Sequence, residues 1–196
     1  MSTTTKPSGP RRSDAERNTE LIIEAAVSQL RLRPDATLTS IARKAGVGRV
    51  TVYGHFSSRC ALVDAAIARV LDEGRDLLND AADCPDPVHA LERVIGLSFQ
   101  LMELSRSVAL AASDVLAPSR LRALHAAPAE RVAALIRRGQ SEGDFRTDLP
   151  AWWLVTSIQQ IFHGATSELS ARRVIPSQAQ AFLVGTVLAL LRRPEP

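Results

Sequence analysis

Residues 37–56 read TLTSIARKAGVGRVTVYGHF, and this stretch decides the fold of the N-terminal part of the chain. Thr37 is typical of a helix N-cap, and apolar residues recur after it at helical spacing as far as Ala45. Gly46 is typical of a helix that ends in the left-handed conformation. A second short helix is predicted from about Gly48 to Phe56. Two short helices joined by a glycine-containing turn predict a helix-turn-helix.

The apolar residues of this stretch predict how its two helices pack. The close approach of the helices requires a small residue at Ala42. The second helix is then able to lie in the major groove of DNA, with its N-terminal residues at the base edges. The residues expected to lock the two helices together are Leu38, Ile41, Ala42, Val47 and Val52.

The candidates for DNA contact lie on the second helix and beside it. Arg49 is expected to read a guanine edge with two donors, and the methyl groups of Val50 to meet a thymine methyl. Tyr53 and His55 are expected to donate to the phosphate backbone, which positions the helix without reading sequence. Thr51 is expected to reach a base or a phosphate. Thr37 and Arg59 are further candidates for contact with phosphate.

The charge of the chain is uneven along its 196 residues. Residues 1–60 hold ten basic and five acidic side chains, a net charge of +5, whereas residues 61–196 have a net charge of −2. A basic N-terminal third on a slightly acidic remainder favours a polyanionic partner for the first third.

The segment before the motif is predicted to be a disordered arm over residues 1–12, followed by a helix. This helix is expected to begin at Ser13 or Asp14 and to stop at Pro34. Its inner side is expected to carry Leu21, Ala25 and Leu30.

The rest of the chain is also predicted to be helical, because no stretch alternates as a strand does. One helix is expected from about residue 58 to 82, capped by Ser57 or Ser58. Further helices are expected at 87–104, 106–116, 118–142 with an interruption at Pro128, 150–171 and 177–192. The fold is therefore predicted to be all-α, with a three-helix helix-turn-helix domain at 13–57 and a larger helical domain at 58–196.

Residues from about 17 to 66 resemble the DNA-binding domain of the tetracycline-repressor (TetR) family. The residues that carry this resemblance are the apolar helix Leu21–Leu30, Thr37, Ile41-Ala42, Ala45-Gly46-Val47, the run Thr51-Val-Tyr-Gly-His-Phe56, Ser58-Arg59 and Leu62. A second segment, 138–148 (RGQSEGDFRTD), resembles a segment in the ligand-binding domains of many members of the family.

The chain departs from the usual pattern of that family at four places. It has Gly48-Arg49 where a polar pair is frequent, Val50 where a small residue is frequent, Gly54 before the histidine, and Cys60 where an acidic residue is frequent. The first three lie on the surface that would face the groove, so the operator sequence cannot be taken from relatives.

The resemblance implies a dimeric transcriptional regulator, usually a repressor, that binds a palindromic operator and responds to a small molecule held in its C-terminal domain. Together with the broad apolar face of the helices at about 150–171 and 177–192, it predicts that these helices form the homodimer interface; the alternative is that they only cap the core of a single chain. The resemblance also implies that the helix at 58–82 transmits the effect of the ligand. The alternative from the residues alone is a helical ligand-binding or protein-interaction module that does not read DNA.

The side chains predicted to line the ligand pocket are mostly aromatic or polar residues on the later helices. A moderate apolar pocket with one or two polar anchors is expected. The candidates are Phe99, Met102, His125, Trp153, Gln159, Phe162 and His163. Of the adjacent pair Trp152-Trp153, one ring is expected to face the core and the other a pocket or interface, with core packing of both as the alternative.

Other classes of protein find little support in the sequence. Cys60 and Cys84 are expected to be separate thiols, and the four histidines lack the spacing of a zinc site. No phosphate-binding glycine loop and no nucleophile motif is present, so no metal, cofactor or enzymatic activity is predicted. No apolar run has the length of a membrane span, and no signal peptide is recognisable, so a cytoplasmic location is expected.

Overall fold

The computed structural model describes residues 10–194, and within this range it contains helices and connecting turns but no strand. The all-α prediction is therefore confirmed. The helices are α1 (Pro10–Leu32), α2 (Leu38–Ala45), α3 (Arg49–His55), α4 (Arg59–Glu73), α5 (Arg75–Ala82), α6 (Pro87–Val115), α7 (Pro118–Leu124), α8 (Ala126–Glu142), α9 (Ala151–Ser170) and α10 (Pro176–Leu191).

The chain divides into two compact units. The first comprises the residues up to Leu71 together with Ser105–Leu121, and the second comprises Asp72–Leu104 and the residues from Arg122 onward. The predicted domain boundary between residues 57 and 58 falls inside the first unit. α4 belongs with the N-terminal helices because it buries Leu62, Val63 and Ala66 there, and because Arg69 on α4 pairs with Glu20 on α1.

α1 differs from its prediction at its start and on its buried face. It begins at Pro10, so residues 10–12 of the predicted arm are helical, while residues 1–9 lie outside the described part. Proline suits the first turn of a helix because its φ is already helical and its missing N–H is not needed there. Ala25 and Leu30 are buried as expected, but Leu21 is 39% exposed and Ile22 is buried in its place.

The predicted continuous helix over 58–82 is wrong, because α4 ends at Glu73 and α5 begins at Arg75. Ser58 does cap the start of α4, where its hydroxyl accepts from the Ala61 N–H at 3.1 Å. Gly74 separates the two helices, and a Cβ placed on it would lie 2.6 Å from Cδ1 of Leu101. Glycine here both weakens the helix and admits the leucine side chain.

Two further predicted boundaries are corrected. The helices expected at 87–104 and 106–116 are one helix, α6, and Ser105 at the expected break is buried. The interruption in 118–142 falls at His125, between α7 and α8, rather than at Pro128. Proline in the first turn of α8 cannot donate to the carbonyl four residues earlier, so the preceding helix ends before it.

α6 is the one helix in the described residues with the length and apolar composition of a membrane span. Its apolar residues are buried in the cores of the two units. Leu91, Val94 and Phe99 are buried in the second unit, and Val108 and Ala111 in the first. This distribution is typical of the core helix of a globular protein.

The segment 138–148 ties the end of α8 to the end of α10 in the second unit. Gln140 Nε2 donates to the carbonyls of Arg146 at 2.8 Å and Leu149 at 3.0 Å. The Arg146 N–H donates to the Leu191 carbonyl at 2.9 Å. The Arg146 guanidinium also bonds both carboxylate oxygens of Asp148, which lowers the pKa of Asp148. Gln140, Arg146 and Asp148 of this segment therefore have a structural role, because their bonds hold the loop between α8 and α9.

Candidate nucleic-acid interface

The turn between α2 and α3 follows the residues that predicted it. The Thr37 hydroxyl accepts from the Ser40 N–H at 3.2 Å and so caps α2. Gly46 ends α2 with φ +70°, in the left-handed region that suits glycine. Gly48 is extended and starts α3 without a side-chain cap. The predicted helix-turn-helix is confirmed, with α3 one residue shorter than expected at each end.

The inner sides of α2 and α3 are apolar and buried. Ile41 and Ala42 on α2 are at most 2% exposed, and Val52 and Phe56 bury the inner side of α3 and the residue after it. These contacts fix which side of α3 faces outward. The orientation of the outer side chains is therefore set by the core beneath them and not by their own interactions.

The outer side of α3 presents three of the predicted DNA contacts. Arg49 is exposed, Val50 is 86% exposed and Tyr53 is 49% exposed. Arg49 and Tyr53 are four residues apart and lie on one stripe of the helix, and Val50 and Gly54 form the neighbouring stripe. Thr51 is half-buried, and Thr37 is exposed at the start of α2. The structure thus groups Arg49, Val50 and Tyr53 on one surface.

The electrostatic character of this region is uniformly positive. Residues 36–63 contain four basic side chains and no acidic one. Arg43 and Lys44 in the last turn of α2 are exposed, as is Arg49 at the start of α3. The N-terminus of α3 adds its unpaired backbone N–H groups to this positive surface. The combination suits contact with phosphate and with base edges.

Arg59 has a different environment from the one predicted. Its guanidinium donates through Nη2 to the Pro34 carbonyl at 2.7 Å and through Nη1 to the Ala36 carbonyl. It thereby holds the loop between α1 and α2 against the start of α4. These two bonds show that Arg59 helps to position the loop that carries Thr37. A guanidinium has five N–H donors, so its contact with phosphate stays a prediction.

His55 contacts Thr19, a residue outside the predicted set of DNA contacts. Its Nδ1 lies 2.9 Å from the hydroxyl oxygen of Thr19 on α1. The two residues are 36 positions apart, so no local spacing indicates the contact. The one sign of this contact in the sequence is that Thr19, a polar residue, lies at helical spacing on the face of α1 that carries Ile22 and Ala26.

The predicted ligand-pocket residues do not form one cluster. Phe99 is buried, and Met102 and Phe162 pack half-buried against the same core of the second unit. The other four candidates are exposed, three on α9 and one between α7 and α8. They are Trp153, Gln159, His163 and His125. Their role in ligand binding stays a prediction.

The tryptophan pair also differs from its prediction. The Trp152 and Trp153 rings form an edge-to-face pair with centroids 5.7 Å apart, and both are exposed, by 66% and 48%. Neither ring faces the core. Adjacent residues diverge by only about 100° around a helix. The outward side of α9 near its start is wide enough to hold both rings.

A shallow apolar groove of 280 Å³ lies between α9 and α10 in the second unit. Its lining includes Ile161 and Gly164 on α9 and Phe182 and Thr186 on α10. Phe182 is 61% exposed, and no atom lies within 4 Å of a Cβ placed on Gly164 or Gly185. The groove is therefore an exposed apolar surface lined by small residues.

The described part of the chain does not gather side chains that could bind a metal. No group of three or more histidine, cysteine, aspartate or glutamate side chains is present among residues 10–194. Cys60 and Cys84 are separate free thiols, as predicted, with Cys60 exposed and Cys84 half-buried.

Comparison with known proteins places this arrangement among DNA-binding regulators. Residues 22–66 match the model of the tetR family of bacterial regulatory proteins. The HTH-type transcriptional repressor LfrR of Mycolicibacterium smegmatis is 28% identical over 185 residues, which cover 90% of this chain and 94% of the relative.

Solved structures share the fold. A TetR-family transcriptional regulator from Agrobacterium tumefaciens has a TM-score of 0.71 at 19% identity, covering 91% of this chain and 99% of that one. Native NalD, the secondary repressor of the MexAB-OprM multidrug efflux pump in Pseudomonas aeruginosa, has a TM-score of 0.67 at 19% identity, covering 93% of this chain and all of that one. At these identities the two structures establish the fold alone.

Proposed function

The chain belongs to the tetR family of bacterial regulatory proteins and is a DNA-binding transcription regulator, and from this premise we propose that it is a dimeric, ligand-responsive repressor. In this proposal, two copies of α3 enter successive major grooves of a palindromic operator in the cytoplasm. A small molecule bound in the second unit releases the DNA.

The outer side of α3 is the observation that carries the proposal. Arg49, Val50 and Tyr53 project from a helix whose inner side is locked by Val52 and Phe56. Arginine recognises guanine with two donors, and an exposed valine suits a thymine methyl. Tyr53 and the start of α3 supply donors to phosphate. An interaction module that had lost DNA binding would not need to keep these groups exposed on a basic surface.

Dimerisation through α9 and α10 is supported by the exposed apolar groove between them. Phe182 is a large apolar side chain left outside the core, and Gly164 and Gly185 leave room for close helix contact. A second copy supplies the same surface, so the two faces are able to pair about a two-fold axis. A two-fold dimer matches a palindromic operator, whose half-sites lie about 34–36 Å apart.

A response to a small apolar molecule is supported by the composition of the second unit. Phe99, Met102 and Phe162 converge on one apolar core, and apolar surfaces with few polar anchors are typical of effector sites. The effector acts by binding the DNA-free state more tightly than the DNA-bound state.

The experiment that tests this function is selection of bound fragments from the source genome at two salt concentrations. Recovery of one palindromic sequence, with binding that weakens steeply as salt rises, is the expected result. Recovery of no sequence would favour the alternative of a helical module that does not read DNA. Mass spectrometry of the purified protein first checks that no effector has copurified, since a bound effector would also abolish selection.

A further inference from the structure

The hydroxyl of Thr19 has two close neighbours that differ in hydrogen-bonding character. Its Oγ1 lies 2.9 Å from the Ala15 carbonyl oxygen on its own helix and 2.9 Å from His55 Nδ1 on α3. A carbonyl oxygen only accepts, whereas an imidazole nitrogen donates or accepts according to its protonation. These two contacts therefore determine which way the Thr19 hydroxyl donates and which nitrogen of His55 carries a hydrogen.

A hydroxyl carries a single hydrogen, and here the carbonyl must receive it. Two oxygens at 2.9 Å with no hydrogen between them would repel each other, so Thr19 donates to Ala15. The Thr19 oxygen is then an acceptor toward the ring, and His55 Nδ1 must carry a hydrogen. In the neutral ring the other nitrogen, Nε2, has no hydrogen and presents a lone pair. Only the imidazolium has hydrogens on both nitrogens.

We propose that Thr19 makes DNA binding proton-coupled, because it fixes the tautomer of His55 so that Nε2 donates to an operator phosphate only when the ring is protonated. This inference rests on the proposed function, in which α3 lies against DNA. The two ring nitrogens direct their lone pairs or hydrogens in widely different directions, so Nε2 is directed away from Thr19 when Nδ1 is bonded to it. A neutral ring turns a lone pair toward the anion, and a protonated ring turns a charged donor toward it.

The helices around His55 carry both acidic and basic side chains. Glu20 is paired with Arg69, and Arg59 binds two carbonyls. The ionisable residues of these helices nearest in position to Thr19, His55 and the turns beside them are Glu16, Arg17 and Glu20 on α1, Arg43 and Lys44 on α2, Arg49 and Tyr53 on α3, and Arg59 and Cys60 on α4.

The test measures affinity for the selected operator between pH 6.0 and 8.5 at constant ionic strength. All proteins carry Cys60→Ser, which removes the other group on these helices that ordinarily titrates in this range. The starting protein is expected to bind about tenfold more weakly per reading head at pH 8.5 than at pH 6.0, the scale of one charge-assisted hydrogen bond. Thermal melts at each pH check that the variants are folded.

Three variants separate the proposal from a structural role for the contact. His55→Gln is expected to bind weakly with no pH dependence from this site. Thr19→Ser keeps the hydroxyl and should keep the pH dependence. Thr19→Val removes the acceptor, so the neutral ring is free to carry its hydrogen on Nε2. Its affinity at pH 8.5 should rise toward the value at pH 6.0, which a merely weakened helix contact would not produce.

Two results would overturn the inference while leaving the proposed function intact. One is an unchanged pH slope in His55→Gln, which would place the titrating group elsewhere. The other is a folded Thr19→Val protein whose slope equals that of the starting protein. If the starting protein binds no sequence selectively at any pH, the proposed function fails instead.

Discussion

A Cβ placed on Gly139 would lie 2.2 Å from Cδ2 of Phe145, so the phenyl ring rests directly on the backbone of α8. Phe145 is 2% exposed and belongs to the core of the second unit. Gly143, with φ +86°, reverses the chain so that the ring returns over the helix. The glycine and the aromatic residue together anchor the segment that leads into α9, one of the two helices of the proposed dimer surface.

Gly139→Ala is therefore expected to destabilise the protein. The methyl group meets three ring atoms within 3.0 Å, and overpacking of this kind costs about 1–3 kcal/mol. The measurement is the midpoint and slope of chemical unfolding. Gly54→Ala is the matched control, because nothing lies within 4 Å of a Cβ there. It should raise stability by about 0.5–1 kcal/mol through helix propensity. Equal stability of the two variants would contradict the packing argument.

The helix-turn-helix was predictable from sequence because its signals are local. Thr37 caps α2, Gly46 ends it, and Val52 and Phe56 turn inward, all within 20 residues of one another. The partners of Arg59 and His55 were not predictable, because Pro34, Ala36 and Thr19 reach them only through tertiary packing. A basic residue next to a DNA-reading helix suggests phosphate, and sequence offers no sign that two backbone carbonyls already occupy it.

The later helices were also predicted correctly only where the signals in the sequence are local. The ends of α9 and α10 were predicted within one residue, because proline and polar turns bound them. The break at Gly74 was missed because the neighbouring Leu101 comes from a different helix. The exposure of Trp152 and Trp153 was missed because hydrophobic periodicity alone does not separate a core face from an exposed apolar surface.

Arg59→Met tests whether the bonds of Arg59 to the loop carbonyls stabilise the protein. Methionine keeps an apolar chain of similar length but loses both bonds to the loop carbonyls. A loss of about 1–2 kcal/mol of stability is expected, on the scale of a charged hydrogen bond that is partly exposed. DNA affinity should fall equally for all sequences, because the loop that carries Thr37 loosens. If Arg59→Met kept full stability and lost only salt-dependent DNA affinity, the phosphate contact first predicted would be correct.

Arg49 and Tyr53 are expected to contribute to DNA binding in different ways. Arg49→Ala should lose about 1–3 kcal/mol of discrimination at one base pair of each half-site, because it removes a two-donor contact with guanine. Tyr53→Phe should weaken binding to all sequences by a similar factor, because the lost hydroxyl is a phosphate donor. Competition with a set of single-base operator variants measures both. A changed base preference in Tyr53→Phe would show that Tyr53 reads a base.

Phe182→Glu tests the proposed dimer surface on α9 and α10. Phe182 is 61% exposed beside the groove that contains Gly164, so the substitution disturbs little of the core of a single chain. In a two-fold interface each substitution appears twice, and two carboxylates are placed in an apolar contact that does not neutralise them. Sedimentation equilibrium should show a monomer where the original protein is a dimer, with the helix content by circular dichroism retained.

The matched control for this prediction is Leu32→Glu. Leu32 is 75% exposed at the end of α1, in the first unit and outside the proposed surface. Leu32→Glu also replaces an exposed apolar residue by a carboxylate, but outside the proposed surface, so the dimer should stay intact. In the proposed dimer, two reading heads bind a palindromic operator at once, so Phe182→Glu should also lose far more affinity for the full operator than for a single half-site. A dimeric Phe182→Glu protein would place the interface on another face.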